Sequence, residues 1–191
     1  MDDLSMIILA GGASRRMGRD KASLVIDGKT FLDIQLEKGR SLGISDIIVS
    51  GRFPEGPGYR VVEDNVPGRG PLEGLRCCLS AALNDRALVL AVDTPLVPTD
   101  ELKRLIRFSE KDSTVPTVLS HGGEIEPLIG VYPKSVIPYA VEELENGKGA
   151  MRSVLKAKGY LEYRSSLDES FFVNINTPEA YSVLGGCEII S

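Results

Sequence analysis

The chain has 191 residues, the length of one domain at roughly 150 residues each. Apolar residues make up 42% and charged residues 26%, a usage that excludes a disordered tract, a collagen-like fibre and a disulfide mini-protein. Lys and Arg number 22 against 27 Asp and Glu, a net charge of −5, so no general pull toward nucleic acid or an anionic membrane is expected, and an anionic ligand needs a local site.

Met6 to Ala10 is a short apolar run ending in Gly11-Gly12, the pattern of a buried parallel strand. Phe31 to Leu42 has helical spacing and closes at Gly43. Ile47 to Val49 and Tyr59 to Val62 are predicted strands. Pro71 opens a helix predicted to reach about Leu83. Ala87 to Val92 is the clearest central strand, and Thr99-Asp100-Glu101 is expected to cap a helix running to about Phe108. Thr114 to Leu119 and Glu126 to Tyr132 flank a Gly-Gly turn and predict an antiparallel pair. Ser135 to Glu145 and Ala150 to Lys158 are predicted helices. Tyr160 to Arg164 and Phe171 to Ile175 are predicted strands, and Thr177-Pro178 starts a last helix. This alternation predicts an α/β fold: one doubly wound, mainly parallel mixed sheet with helices on both faces, in a single domain over 1–191. Such sheets bind ligands beyond the carboxyl ends of their strands.

The scarce residues narrow the chemistry. No apolar run approaches the ~20 residues of a membrane span, and the start Met1-Asp2-Asp3 is acidic where a signal peptide is basic. Cys77, Cys78 and Cys187 show no C-x-x-C spacing and are expected as free thiols in a reducing, cytoplasmic setting. The one histidine, His121, lies in Ser120-His121-Gly122-Gly123 and is expected at an exposed hairpin tip. Chemistry is therefore expected from carboxylates, lysines, arginines, backbone amides and a hard metal ion.

The segment Leu9-Ala10-Gly11-Gly12-Ala13-Ser14-Arg15-Arg16-Met17-Gly18-Arg19-Asp20-Lys21 follows the first strand. Its glycines permit close backbone approach, successive N–H groups make an anion-binding concavity, and its arginines and lysine suit phosphate oxygens. It fits neither the P-loop nor the dinucleotide-binding spacing. Asp93 ends the most apolar strand and is either a Mg²⁺ ligand or a cap for the turn at Thr94-Pro95. Asp64 follows the Val61-Val62 strand and is either a ligand group or an Asx-turn residue. Pro67 to Leu72 leads into a helix whose N-terminus offers free N–H groups. Asn174 and Asn176 are expected on one face of a strand, where asparagine is otherwise uncommon.

The first loop, with Leu24 to Leu32, Val62-Glu63-Asp64, Gly70 to Gly74, Val92-Asp93-Thr94-Pro95, Glu126-Pro127-Leu128 and Val173 to Pro178 in that order, resembles the molybdenum cofactor guanylyltransferase (MobA) family over nearly the whole chain. The resemblance implies a nucleotidyltransferase fold and transfer of GMP from GTP to the phosphate of molybdopterin, with Mg²⁺ present and pyrophosphate released. It implies Lys21 and Arg15 or Arg16 as the groups that offset charge on the pyrophosphate. It implies nucleotide binding by Leu9, Ala10, Gly11, Gly12, Lys21, Ser50, Asp64 and Asp93, metal binding by Asp93, and acceptor binding by Asn174 and Asn176. Ser50 stands where guanylyltransferases of the family often carry asparagine. The expected partners are GTP and molybdopterin, with transient contact to cofactor-delivering proteins, and neither nucleic acid nor membrane. Two alternatives stay open: the same machinery acting as a molybdopterin cytidylyltransferase or sugar-phosphate nucleotidyltransferase, and a nucleotide-binding regulatory or assembly protein without turnover.

Overall fold

Ser5–Leu9 forms strand β1, and all of it is buried. Met6 and Ile8 enter one core, and Ile7 and Leu9 enter another on the opposite face, as the two-residue period of a strand requires. The computed structural model describes residues 3–11, 21–175 and 181. A small antiparallel hairpin follows, β2 (Val25–Ile26) and β3 (Lys29–Thr30). Its Asp27-Gly28 turn has φ of 50° and 76°, the left-handed pair that tight hairpins use. Helix α1 (Phe31–Ser41) begins in a capping box between Thr30 and Asp33. Gly43, at φ 71°, closes it by donating to the Arg40 carbonyl at 2.9 Å.

The chain continues through β4 (Ile47–Ser50), β5 (Arg60–Val62), α2 (Pro71–Ala81), β6 (Arg86–Ala91), α3 (Thr99–Ser109), β7 (Thr117–His121), β8 (Glu124–Pro133), α4 (Ile137–Glu145), α5 (Met151–Lys158) and β9 (Leu161–Arg164). Seven strands join in the order β5-β4-β1-β6-β8-β7-β9. Strands β5, β4, β1 and β6 are mutually parallel, β8 runs against β6 and β7, and β9 runs with β7. Leu36 of α1 and Leu102 and Leu105 of α3 pack on one face with Met6, Ile8 and Leu88. Leu75 of α2, Leu144 of α4 and Val154 of α5 pack on the other with Ile7, Ile48 and Val89. This is the doubly wound, mainly parallel mixed sheet that the alternation predicts. The carboxyl ends of β1, β4, β5 and β6 share one edge, and β7 ends there too.

Several local expectations are corrected. Phe171 to Ile175 is not a strand: Glu169–Phe172 is a 3-10 turn, and residues 173–175 have no regular structure. Asp168 decides this, because its carboxylate accepts from the Ser170 N–H at 2.9 Å and its carbonyl from the Phe171 N–H at 3.2 Å. Strand periodicity therefore does not place Asn174, and Asn176 and the helix expected from Thr177 lie outside the described residues. Helix α2 ends at Ala81, before Leu83, and α3 has Pro98 as N-cap without a side-chain cap bond. His121 is not an exposed tip. Its ring stacks on Phe172 with centroids 4.5 Å apart, its Nε2 lies 3.2 Å from Glu126, and its side chain is only 15% exposed.

At the opposite edge of the sheet Asp46 is buried. It accepts from the Ser5 hydroxyl at 2.6 Å, the Leu83 N–H at 2.8 Å and the Arg60 guanidinium at 2.7 Å. Burial pushes its carboxyl up, but these donors outweigh burial and hold it below the ordinary 3.8. The ionised form thus adds stability above that value, lost as pH falls through the lower folded value. Asp46→Asn is expected to cost roughly 1–3 kcal/mol and to remove part of the acid dependence of unfolding. Urea titrations at pH 3 to 7 check this.

Candidate active site

The sheet edge at the ends of β1, β4, β5 and β6 brings most of the described candidate residues together. Leu9 and Ala10 deliver the chain to Gly11, which lies against the loop after β4. A Cβ on Gly51 would stand 3.2 Å from Gly11 Cα, and Gly51 has φ 125°. The two backbones thus touch where a side chain would part them. Gly12, Arg15 and Arg16 lie outside the described residues.

Lys21 opens a 3-10 turn, Lys21–Ser23, anchored by the buried Ala22 and Leu24. Its ammonium donates to Asp93 Oδ2 at 2.8 Å, with the side chains 22% and 15% exposed. The contact joins the first loop to the end of β6 across 72 residues of sequence. Val92 donates to the Leu9 carbonyl at 3.1 Å and continues the β1–β6 pairing to the residue before Asp93. The turn itself is closed by Thr94, whose hydroxyl donates to the Ala91 carbonyl at 3.0 Å. The Asp93 carboxylate is therefore left to face Lys21 and does not cap the turn. Ile175 donates its N–H to the Asp93 carbonyl at 3.0 Å, which brings Asn174 to the same edge.

Asp64 and Ser50 form a second group. Ser50, 2% exposed, donates to Asp64 Oδ1 at 3.4 Å. A Cβ on Gly74 of α2 would stand 2.6 Å from Ser50 Oγ and 3.3 Å from Asp64 Oδ1, so the helix passes close only because residue 74 has no side chain. No Asx turn forms at Asp64: the Asn65 N–H points to Cys77 Sγ and the Val66 N–H to Glu73 Oε1. Burial, followed by the nearby Glu73 charge, raises the Asp64 carboxyl. Glu73 is held low, chiefly by hydrogen bonds from Arg76 at 2.7 and 3.1 Å.

The head of α2 is less open than its sequence suggests. Leu72 donates to the Gly149 carbonyl at 3.1 Å and Glu73 to the Gly70 carbonyl at 3.2 Å. Gly70, at φ 86°, and Gly149 are in backbone contact. The expected free N–H groups of this helix are thus partly taken.

Sequence reasoning missed two buried donors on α1. Gln35 Nε2 donates to the carbonyls of Ala91 at 2.9 Å and Thr94 at 3.1 Å. Lys38 Nζ donates to the Pro95 carbonyl at 2.7 Å, and burial pushes its ammonium down to about 7. A polar residue on the core-facing side of α1 was the available signal.

Among the described residues no cluster of three or more His, Cys, Asp or Glu could cage a metal. The donor set at Asp93 is one carboxylate beside an open edge. That fits an ion that takes one or two carboxylates and fills its shell with water and phosphate, as Mg²⁺ does. No helix among the described residues is long and apolar enough to cross a membrane.

Gly11, the Lys21 ammonium and the strand-end Asp93 carboxylate meet at the carboxyl edge of a doubly wound sheet, where such sheets bind their ligands. A family model described as the MobA-like NTP transferase domain matches residues 6–164; the chain belongs to this family and is a nucleotidyltransferase. It is 34% identical over 194 residues to a probable molybdenum cofactor guanylyltransferase of Carboxydothermus hydrogenoformans, covering 96% of each chain. It is 31% identical to a protein of the same description from Bacillus subtilis, over 93% of this chain and 92% of the relative. The molybdopterin-guanine dinucleotide biosynthesis protein A of Archaeoglobus fulgidus superposes with a TM-score of 0.78 at 22% identity, covering 94% of this chain and 96% of that one. The 2-C-methyl-D-erythritol 4-phosphate cytidylyltransferase of Thermus thermophilus superposes at 0.71 with 15% identity, covering 96% and 97%. These two share the fold.

Proposed function

We propose that this enzyme transfers GMP from GTP to the terminal phosphate of molybdopterin, with pyrophosphate as the leaving group. The observation that carries the proposal is the 2.8 Å contact between Lys21 and Asp93. It puts a cation and a carboxylate side by side at the carboxyl edge of the sheet, directly after β6. The descriptions of the curated relatives support guanylyl transfer and this acceptor.

In this reading the acceptor phosphate attacks the α-phosphorus in line. It is already an anion, so no general base is required, and the protein contributes position and charge. Lys21, with Arg15 or Arg16, offsets the charge that develops on the departing pyrophosphate. Asp93 would hold Mg²⁺, which when bound would supply charge neutralisation on the phosphate oxygens. Asp64, kept in place by Ser50, faces the nucleoside. Ser50 touches Asp64 Oδ1, so it acts on base choice through that carboxylate. Asn174, with Asn176, serves the acceptor.

Guanine presents donors and acceptors along one edge, which the main chain of Leu9 to Gly12 can meet. A base that leaves such groups dry forfeits about 1–3 kcal/mol per group, roughly a fivefold to 150-fold preference for each. With equal GTP, CTP and ATP, Mg²⁺ and molybdopterin, GMP transfer is expected to dominate. Dominant CMP transfer would reject the guanylyl assignment in favour of a cytidylyltransferase. Absence of pyrophosphate release with every nucleotide would favour a binding protein without turnover.

A further inference from the structure

We infer that Gln35 and Lys38 are positioning residues, and that helix α1 sets the Lys21–Asp93 distance by holding both sides of that contact. On the lysine side, Phe31, the first residue of α1, donates its N–H to the Leu24 carbonyl at 2.8 Å, and Leu24 donates to the Lys21 carbonyl at 3.2 Å. On the aspartate side, Gln35 and Lys38 reach the carbonyls of Ala91, Thr94 and Pro95 at 2.7 to 3.1 Å. These carbonyls bracket Asp93 before and after.

Both side chains are more costly than packing needs. Gln35 is 0% exposed and Lys38 7%, and Gln35 Oε1 is buried with no hydrogen-bond partner. A lysine and an amide in an apolar layer are unfavourable unless their donors are used, and here Gln35 Nε2 and Lys38 Nζ both donate into the turn that carries Asp93. A methionine at either position would fill similar volume without that penalty. The polar groups are explained by what they hold.

The inference rests on the nucleotidyl-transfer reading for its activity readout only. Gln35→Met and Lys38→Met are measured with whichever nucleotide the wild-type enzyme turns over, so a change of preferred base does not touch the result. Expected are a fall in kcat of about tenfold or more, as misplacement of a reacting group gives, and a KM for nucleotide within about threefold of wild type, since no contact made equally in ground and transition states is lost. Amide hydrogen exchange, followed without substrate, is expected to quicken in the peptide spanning 91–97. Unchanged kcat in the folded variants would overturn the inference. So would exchange that quickens only within α1, or a loss of activity that matches the unfolded fraction.

Discussion

Lys21→Ala is expected to lower turnover by about 10²-fold or more, the usual loss on removing one preorganised donor from a site where charge develops. The melting temperature should hardly move. The Lys21–Asp93 pair is partly open to water, with side chains 22% and 15% exposed, and such pairs contribute about 0–1 kcal/mol to stability. The backbone around Lys21 is held independently, by the buried Ala22 and Leu24 and by the bond between Phe31 N–H and the Leu24 carbonyl. A large kinetic loss on an intact fold is the signature of a group that acts on the reaction. Pyrophosphate release near the wild-type rate would remove Lys21 from the mechanism.

Asp93→Asn keeps the shape of the side chain and removes its anion. Loss of Mg²⁺-dependent activity is expected, again about 10²-fold or more, with little change in melting temperature. The turn at this position depends on Thr94 and on the main-chain bond from Ile175 N–H to the Asp93 carbonyl at 3.0 Å, both present in the variant. A Mg²⁺ titration of pyrophosphate release, with thermal unfolding on the same preparation, reads the two effects apart. A variant that melts far below wild type yet turns over normally while folded would assign Asp93 to the turn instead. The double variant Lys21→Ala/Asp93→Asn should be scarcely worse than the weaker single, because residues that act as a unit are strongly non-additive.

The central strands were legible because burial on both faces leaves a continuous apolar run, as in Met6 to Leu9 and Ala87 to Ala91. Asp93 stood out because a carboxylate directly after such a run has to leave the core. Pro71 marked the start of α2 for a local reason, its fixed φ. What escaped depends on partners distant in sequence. Phe171-Phe172-Val173 has the composition of a strand, yet the Asp168 carboxylate turns the chain first. His121 sits in good turn chemistry, but the Phe172 ring that covers it comes from beyond β9. Gln35 and Lys38 look like ordinary polar positions of a helix until the 91–95 turn is folded over them. The β2–β3 hairpin was the avoidable miss, since Asp27-Gly28 directly after Val25-Ile26 is a recognised turn signal.

The place of β1 at the middle of the parallel set has a consequence for how the protein is made. Ser5–Leu9 is synthesised before both of its neighbours, Ile47–Ser50 on one side and Ala87–Ala91 on the other. At about 5–20 residues per second, the nascent chain carries this apolar stretch for roughly 4–16 seconds before the second neighbour has even been translated. Until then Met6-Ile7-Ile8-Leu9 is a short, uncharged, β-prone window that lacks its full set of strand partners. A chain that stops before β6 is complete lacks the partner for one edge of this strand, and is expected to aggregate or be degraded more readily than the full-length chain.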